Sequence, residues 1–136
     1  MTTCGIEMFG SEARLVLLNG DKSSFTHADV KPKKMKLTVD ENPAEVRAFR
    51  DSIFAFFREN NVTLIAIKKR GKKGDYSGGP VGFKLEGIIQ LYEDCPIRLV
   101  AAQTISAAQK KDSPDKPDTL LKYQYNAFET AYSVLQ

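Results

Sequence analysis

The sequence predicts a mixed α/β domain, in which three meandering strands are followed by alternating helices and strands and the helices cover both faces of one sheet. Three observations point there. The segment before residue 41 holds short apolar or alternating runs and no helical period. "ENPAEVRAFRDSIFAFFREN" then switches to a period near 3.6. After it, short continuous apolar runs alternate with amphipathic segments, as strands do when crossover helices cover them.

The elements follow in order. "CGIEMFG" reads as a strand with Ile6 and Met8 on one side and Glu7 on the other. "ARLVLLNG" is a second, continuously apolar strand, reached through a tight turn at Gly10. "GDKSSFTHADVKP" reads as a polar loop, and "KKMKLTV" alternates charged and apolar residues as a half-solvated third strand does. The first helix places Val46, Phe49, Ile53, Phe56 and Phe57 on one face. Asn42 stands at its N-cap, Pro43 in its first turn, and Glu45 where a capping box would close.

"VTLIAI" reads as a strand buried on both faces, and "IRLVAA" as another. Between them "PVGFKLEGIIQLYED" aligns Val81, Leu85, Ile88 and Tyr92 as a helix. "TISAAQKK" makes a short helix, and "DSPDKPD" is a loop. The last segment sets Leu121, Tyr125, Phe128, Tyr132 and Leu135 on one helical face. The order is β-β-β-α-β-α-β-α-α.

A length of 136 residues suits one domain, 1–136, large enough to bury a core without metals or disulfides. The net charge of +3 does not by itself indicate a polyanion-binding protein, so the distribution of charge matters more than the sum. Two cysteines far apart and one histidine, His27, exclude zinc-site spacing. The low cysteine count and the lack of a signal-like start or a long apolar run lead us to expect a cytoplasmic protein with no membrane segment.

The charge is concentrated in "KKRGKKGDYSGGP". This stretch leaves the C-terminal end of a buried strand, where open α/β sheets place their ligand crevices. Lys68, Lys69, Arg70, Lys72 and Lys73 are candidate phosphate contacts, and Gly71 and Gly74 let backbone amides approach. Tyr76 is a candidate for stacking on a base. Gly78, Gly79 and Pro80 lead into a helix N-terminus, which favours anions. A solvated loop has the same composition, so the assignment needs a neighbouring site. "KPKKMK" is a second basic strip. The stretch has neither the spacing of a Walker A loop nor the helix–loop–helix setting of a KH-domain GXXG loop. Tyr123, Tyr125 and Tyr132 read as helix packing.

The element order resembles that of the ribonuclease-H-like superfamily. "CGIEMFGSEARLVLL" resembles the "GID-x-G" opening of Holliday-junction resolvases, and "NAFETAYSVL" is similar to their "ADALALA" segment. Together with "GGPVGFKLEGIIQL", these segments resemble, over nearly the whole chain, a small bacterial family of unknown function placed in that superfamily. The resemblance implies a ribonuclease-H-like fold. It also implies metal-binding and catalytic roles for Glu7 and Glu129, with Mg2+ or Mn2+ as the ion. Glu86, on the helix after the basic stretch, is a third candidate metal carboxylate by its position, and sharing the solvent side with Lys84 and Gln90 is the alternative. An acid on a solvated strand face, or one paired with a lysine, explains Glu7 equally well.

The likeness breaks where resolvases end a strand in "AIE": this chain has "AIKKR", with Lys68 or Lys69 in place of the acid. A cation there repels a divalent ion and pairs with Glu7. The first expectation is therefore a nucleic-acid-associated domain with a depleted metal site, holding phosphates through the basic loop. An active magnesium-dependent nuclease and a non-catalytic interaction or regulatory domain remain alternatives, and a homodimer stays open.

Overall fold

Alternation along the central strands decides which side chains meet which helices. The computed structural model describes residues 1–71 and 79–136, so Lys72, Lys73 and Tyr76, like Gly74, Asp75 and Gly78, lie outside the described residues. The strands are β1 (Thr2–Phe9), β2 (Glu12–Asp21), β3 (Ser24–Ala28), β4 (Lys34–Lys36), β5 (Leu64–Lys68) and β6 (Ile97–Val100). The helices are α1 (Pro43–Glu59), α2 (Pro80–Ile89), α3 (Ala102–Asp112) and α4 (Tyr125–Ser133), the last preceded by a 3₁₀ turn at Lys122–Gln124.

One mixed sheet runs β3-β2-β1-β5-β6, with β4 also paired to β2. β1, β5 and β6 are parallel, and the pairs made by β2 are antiparallel. Cys4, Ile6 and Met8 of β1, Leu15 and Leu17 of β2, and Ile65 and Ile67 of β5 pack with Phe49, Ile53 and Phe57 of α1 and Leu85 and Ile89 of α2. The intervening residues face the other way. Val16 and Leu18 meet Ala127, Phe128 and Ala131 of α4, while Ala66 and Val100 meet Ile105 of α3. Helices therefore cover both faces, as expected.

The strand count differs from the expected order by one. β3 lies in the segment read as a polar loop. It is an edge strand, half-exposed along "SFTHA", and so carries no apolar run to announce it. Its hairpin is built locally: the Asp21 carboxylate accepts from the Ser23 and Ser24 amides at 3.0 and 2.9 Å, after Gly20 at φ 112°. β6 is the opposite edge, with Arg98 and Leu99 exposed rather than covered on both sides.

The first helix starts as its sequence dictates. Asn42 Oδ1 accepts from the Ala44 amide at 2.9 Å, and Pro43 opens the first turn. The final helix starts later than its periodicity suggests. Leu120 is buried and Leu121 exposed, because the buried Gln124 side chain turns back. Its Oε1 accepts from the Leu121 amide at 3.0 Å, and its Nε2 donates to the Leu15 carbonyl at 3.0 Å, tying the turn to β2.

α4 lies directly on β1. A Cβ at Gly5 would overlap the Ala127 carbonyl oxygen and stand 2.7 Å from the Ala131 Cβ. The neighbour is helix backbone, which cannot rotate away. Gly5→Ala is therefore expected to cost about 2–3 kcal/mol. It should appear as a lower urea midpoint with an unchanged slope; an unchanged midpoint would contradict this packing.

Candidate nucleic-acid interface

Glu7 has the parity of Gly5, so it projects on the α4 face, two residues nearer the C-terminal end of β1. α4 runs antiparallel to β1: its start lies over Glu7 and its middle over Gly5. The residue it presents to the carboxylate is Asn126, whose Nδ2 donates to Glu7 Oε2 at 2.7 Å. Glu129 lies one turn further along, about 4.5 Å back from that end by helical rise. It is half-buried and does not line the hollow described below.

Glu7 Oε1 is buried without a hydrogen-bond partner among the described residues, and Arg14 Nη1 stands 3.7 Å from it. Arg14 is the cross-strand neighbour of Glu7 and is itself held by Glu12 through its Nε at 2.8 Å. Its guanidinium lies 3.9 Å from the centre of the Phe9 ring and 5.5 Å from that of Tyr123.

A hollow of about 400 Å³ opens at this end of the sheet, lined by Glu7, Phe9, Gly10, Lys68, Lys69, Arg70 and Gly79 among others. The first strand's carboxylate and the described part of the basic stretch thus share one concavity. Lys68 is half-buried and Lys69 exposed. Lys69 is fixed by its backbone, its amide donating to the Val100 carbonyl at 2.8 Å. Arg70 folds across the sheet end toward α2. Its guanidinium fills the space a side chain at Gly82 would need, and lies 5.1 Å from the Phe83 ring.

Partial burial lowers the affinity of Arg70 for its proton, while Glu86 and then Glu7 raise it. Glu86 thus acts on Arg70 only through its charge, and does not line the hollow. Elsewhere, Cys4 is sealed in the α1 face, and burial, the largest influence on it, pushes its thiol well above the usual range; it is not a nucleophile.

This donor set does not fit a divalent cation. Glu7 is the one carboxylate lining the hollow among the described residues, and one of its oxygens is already occupied by an amide donor. Three cations share the hollow with it, and the described residues contain no group of three acidic, histidine or cysteine side chains placed to hold a metal. The arrangement suits an anion with several oxygens, for which lysine and arginine supply charge and donors.

The sequence singled out Glu7 and the cations at positions 68–70 but missed Asn126 and Arg14. Arg14 was visible as the one charged residue in an otherwise apolar strand. Asn126 had no signal, since its role depends on where α4 crosses β1. Asn126→Asp would set a second carboxylate against Glu7. Mutual repulsion should then cost about 1–2 kcal/mol at neutral pH. Like charges raise folded-state carboxylate pKa values above the unfolded ones, so that loss should begin to fade as pH falls below the raised folded values and be gone below about 4. Urea unfolding at both pH values checks this, and a pH-independent difference would contradict it.

No helix among the described residues is long and apolar enough to cross a membrane. No curated protein matches the chain in sequence. Among solved structures, the chain is similar to Thermus thermophilus RuvC, with a TM-score of 0.73 at 10% identity over 98% of this chain and 92% of that one. It is similar to T. thermophilus RuvC in complex with a Holliday junction substrate (TM-score 0.68, 12% identity, 98% and 91% covered). It also resembles the Fowlpox virus resolvase in complex with substrate Holliday junction DNA (TM-score 0.55, 16% identity, 98% and 95% covered). At these identities the likeness establishes the fold alone: the mixed sheet with helices on both faces that RuvC also has. Residues 1–134 match the family described as Protein of unknown function (DUF3010), and the chain belongs to that family.

Proposed function

We propose that this protein binds nucleic acid through its phosphate backbone, using the hollow at the C-terminal end of β1 and β5, on a scaffold whose metal site is depleted. One observation carries the reading: Lys68, Lys69 and Arg70 line the same concavity as Glu7. In a metal-dependent nuclease that concavity needs converging carboxylates. Here lysine follows the buried strand, and the helix that crosses β1 offers an amide. Such a site attracts phosphate directly, without an ion between. The resolvase-like fold supports the choice of ligand, since two of the similar proteins were solved with Holliday junction DNA.

Each cation has a distinct part. Lys68 and Lys69 are flexible point charges at the strand end. Arg70, seated against α2, presents a fixed planar donor. Glu7 keeps Arg14 and Arg70 in place and limits how much net positive charge the hollow holds. The basic residues Lys72 and Lys73 and the aromatic Tyr76, outside the described residues, extend the same stretch and are proposed to add phosphate and base contacts.

The test is binding to a synthetic four-way DNA junction and to linear duplex at several salt concentrations. The affinity should fall steeply with salt. Lys68→Glu/Lys69→Glu should weaken it at least about tenfold and reduce the log–log salt slope by about 2. No binding by the wild type would reject the reading. A second measurement addresses the metal. Calorimetric titration with manganese should give no saturable site, in the wild type or in Glu7→Gln. Saturable binding lost in Glu7→Gln, together with magnesium-dependent cleavage, would establish an active nuclease instead.

A further inference from the structure

The hollow does not end at Glu7. Register carries it across the sheet. Lys68 stands one step beyond the Ile6–Ile67 pair, beside Glu7; Glu7 pairs with Arg14, and Arg14 with Lys34. These four residues form one rung over β5, β1, β2 and β4. Their neighbours fix the face: Ile67, Ile6, Ala13 and Met35 pack into the α1 side, so the rung projects on the α4 side, just beyond the start of that helix. At the usual strand spacing the rung is about 14 Å long. Three of its four charges are positive.

Two aromatic rings flank the row. Phe9 ends β1, lines the hollow and is 58% exposed. A large apolar ring this exposed, beside three cations, has no packing role to explain it. Arg14 covers it at 3.9 Å and leaves open ring surface. Tyr123, on the turn before α4, is half-buried and sits under both Arg14 and Lys34, at 5.5 and 5.0 Å. It belongs to none of the core clusters, unlike Tyr132. It therefore does not take the helix-packing role read for it from the sequence.

We infer that this rung is a track for an unpaired strand: phosphates lie along Lys68, Arg14 and Lys34, and a splayed base stacks on Phe9. The inference rests on the nucleic-acid reading above and makes it narrower. Cations alone hold any phosphate backbone, paired or not. An exposed ring beside them rewards a base whose face is free, and only unpaired nucleotides offer one. Arg14, already stacked on Phe9, adds a second planar surface and moves with the base rather than against it. The preferred partner is thus DNA or RNA with single-stranded arms or unpaired positions, over continuous duplex.

The experiment compares a forked DNA with single-stranded arms against fully paired duplex of the same sequence, using the full chain and a fluorescent purine analogue in the arm. The wild type should bind the fork more tightly and quench the analogue. Phe9→Ala, at an exposed position, should keep its melting temperature and lose about five- to fiftyfold in fork affinity. Its duplex affinity should fall far less than its fork affinity, with the salt slope kept, and Phe9→Tyr should retain both fork affinity and quenching. If Phe9→Ala binds fork and duplex as the wild type does, the track is wrong while the phosphate reading stands. If the wild type binds neither DNA, both fall together.

Discussion

The structure depends on one close contact, the backbone of α4 lying against the backbone of β1 at Gly5. Any side chain there would meet the Ala127 carbonyl and push the helix outward. Because the helix sits so low, its first turn reaches the strand two residues later, and Asn126 meets Glu7. Small residues repeat on the helix side of the contact, with Ala127 and Ala131 both fully buried. The packing that stabilises the fold therefore also fixes the geometry of the hollow. A substitution at Gly5 would disturb both, and its effect on binding could not be separated from its effect on stability.

Around that contact the charges are arranged in an order that elementary electrostatics explains. A lone carboxylate at a sheet end with one oxygen buried and unpartnered is costly unless positive charge is near. Here Arg14 stands beside it, and Arg70 feels its field. Each guanidinium is in turn spread over an aromatic ring, Arg14 on Phe9 and Arg70 near Phe83. Arg14 is anchored at its Nε by Glu12 at 2.8 Å, which leaves the nitrogens at the far end of its fork with only the longer contact to Glu7, and Arg70 lies against a ring rather than in an ion pair of the described residues. A site held this way keeps donors free for an incoming anion, whereas a bidentate salt bridge would consume them.

Much of this was legible in the sequence, and the rest was hidden for definite reasons. The helix of residues 43–59 announced itself through period and cap, both of which are local. The central strand 64–68 did so through an apolar run that only a doubly covered strand needs. Glu7 was conspicuous as one charge among apolar neighbours. β3 escaped because an edge strand needs no apolar face, and its turn is made by an aspartate rather than a glycine pair. Glu129 was drawn from a likeness of motifs, whereas the residue beside Glu7 is set by where two backbones cross. That crossing is a tertiary fact, and a shift of a single helical turn, three residues, exchanges a glutamate for an asparagine. Tyr123 was read as helix packing together with Tyr125 and Tyr132, but it lies in a 3₁₀ turn held by Gln124, ahead of the helix.

On the proposed reading, the lysine at the end of β5 has consequences beyond one missing ligand. In a carboxylate-rich hollow, a divalent cation must arrive before a phosphate is tolerated, because the empty site repels polyanions. With lysines at positions 68 and 69 the order of attraction inverts. On that reading phosphate is favoured at once, and a metal ion would have to displace Asn126 from Glu7 and enter against three positive charges. Recovering metal binding would therefore take more than restoring one acid: the amide facing Glu7 and the cations beside it oppose the ion together. The same inversion makes the rung toward Lys34 useful. A hollow that attracts phosphate without an ion, as proposed, would let adjacent cations on the sheet extend the path instead of competing with a metal, and would give the exposed ring at the turn of β1 and β2 a ligand to stack on.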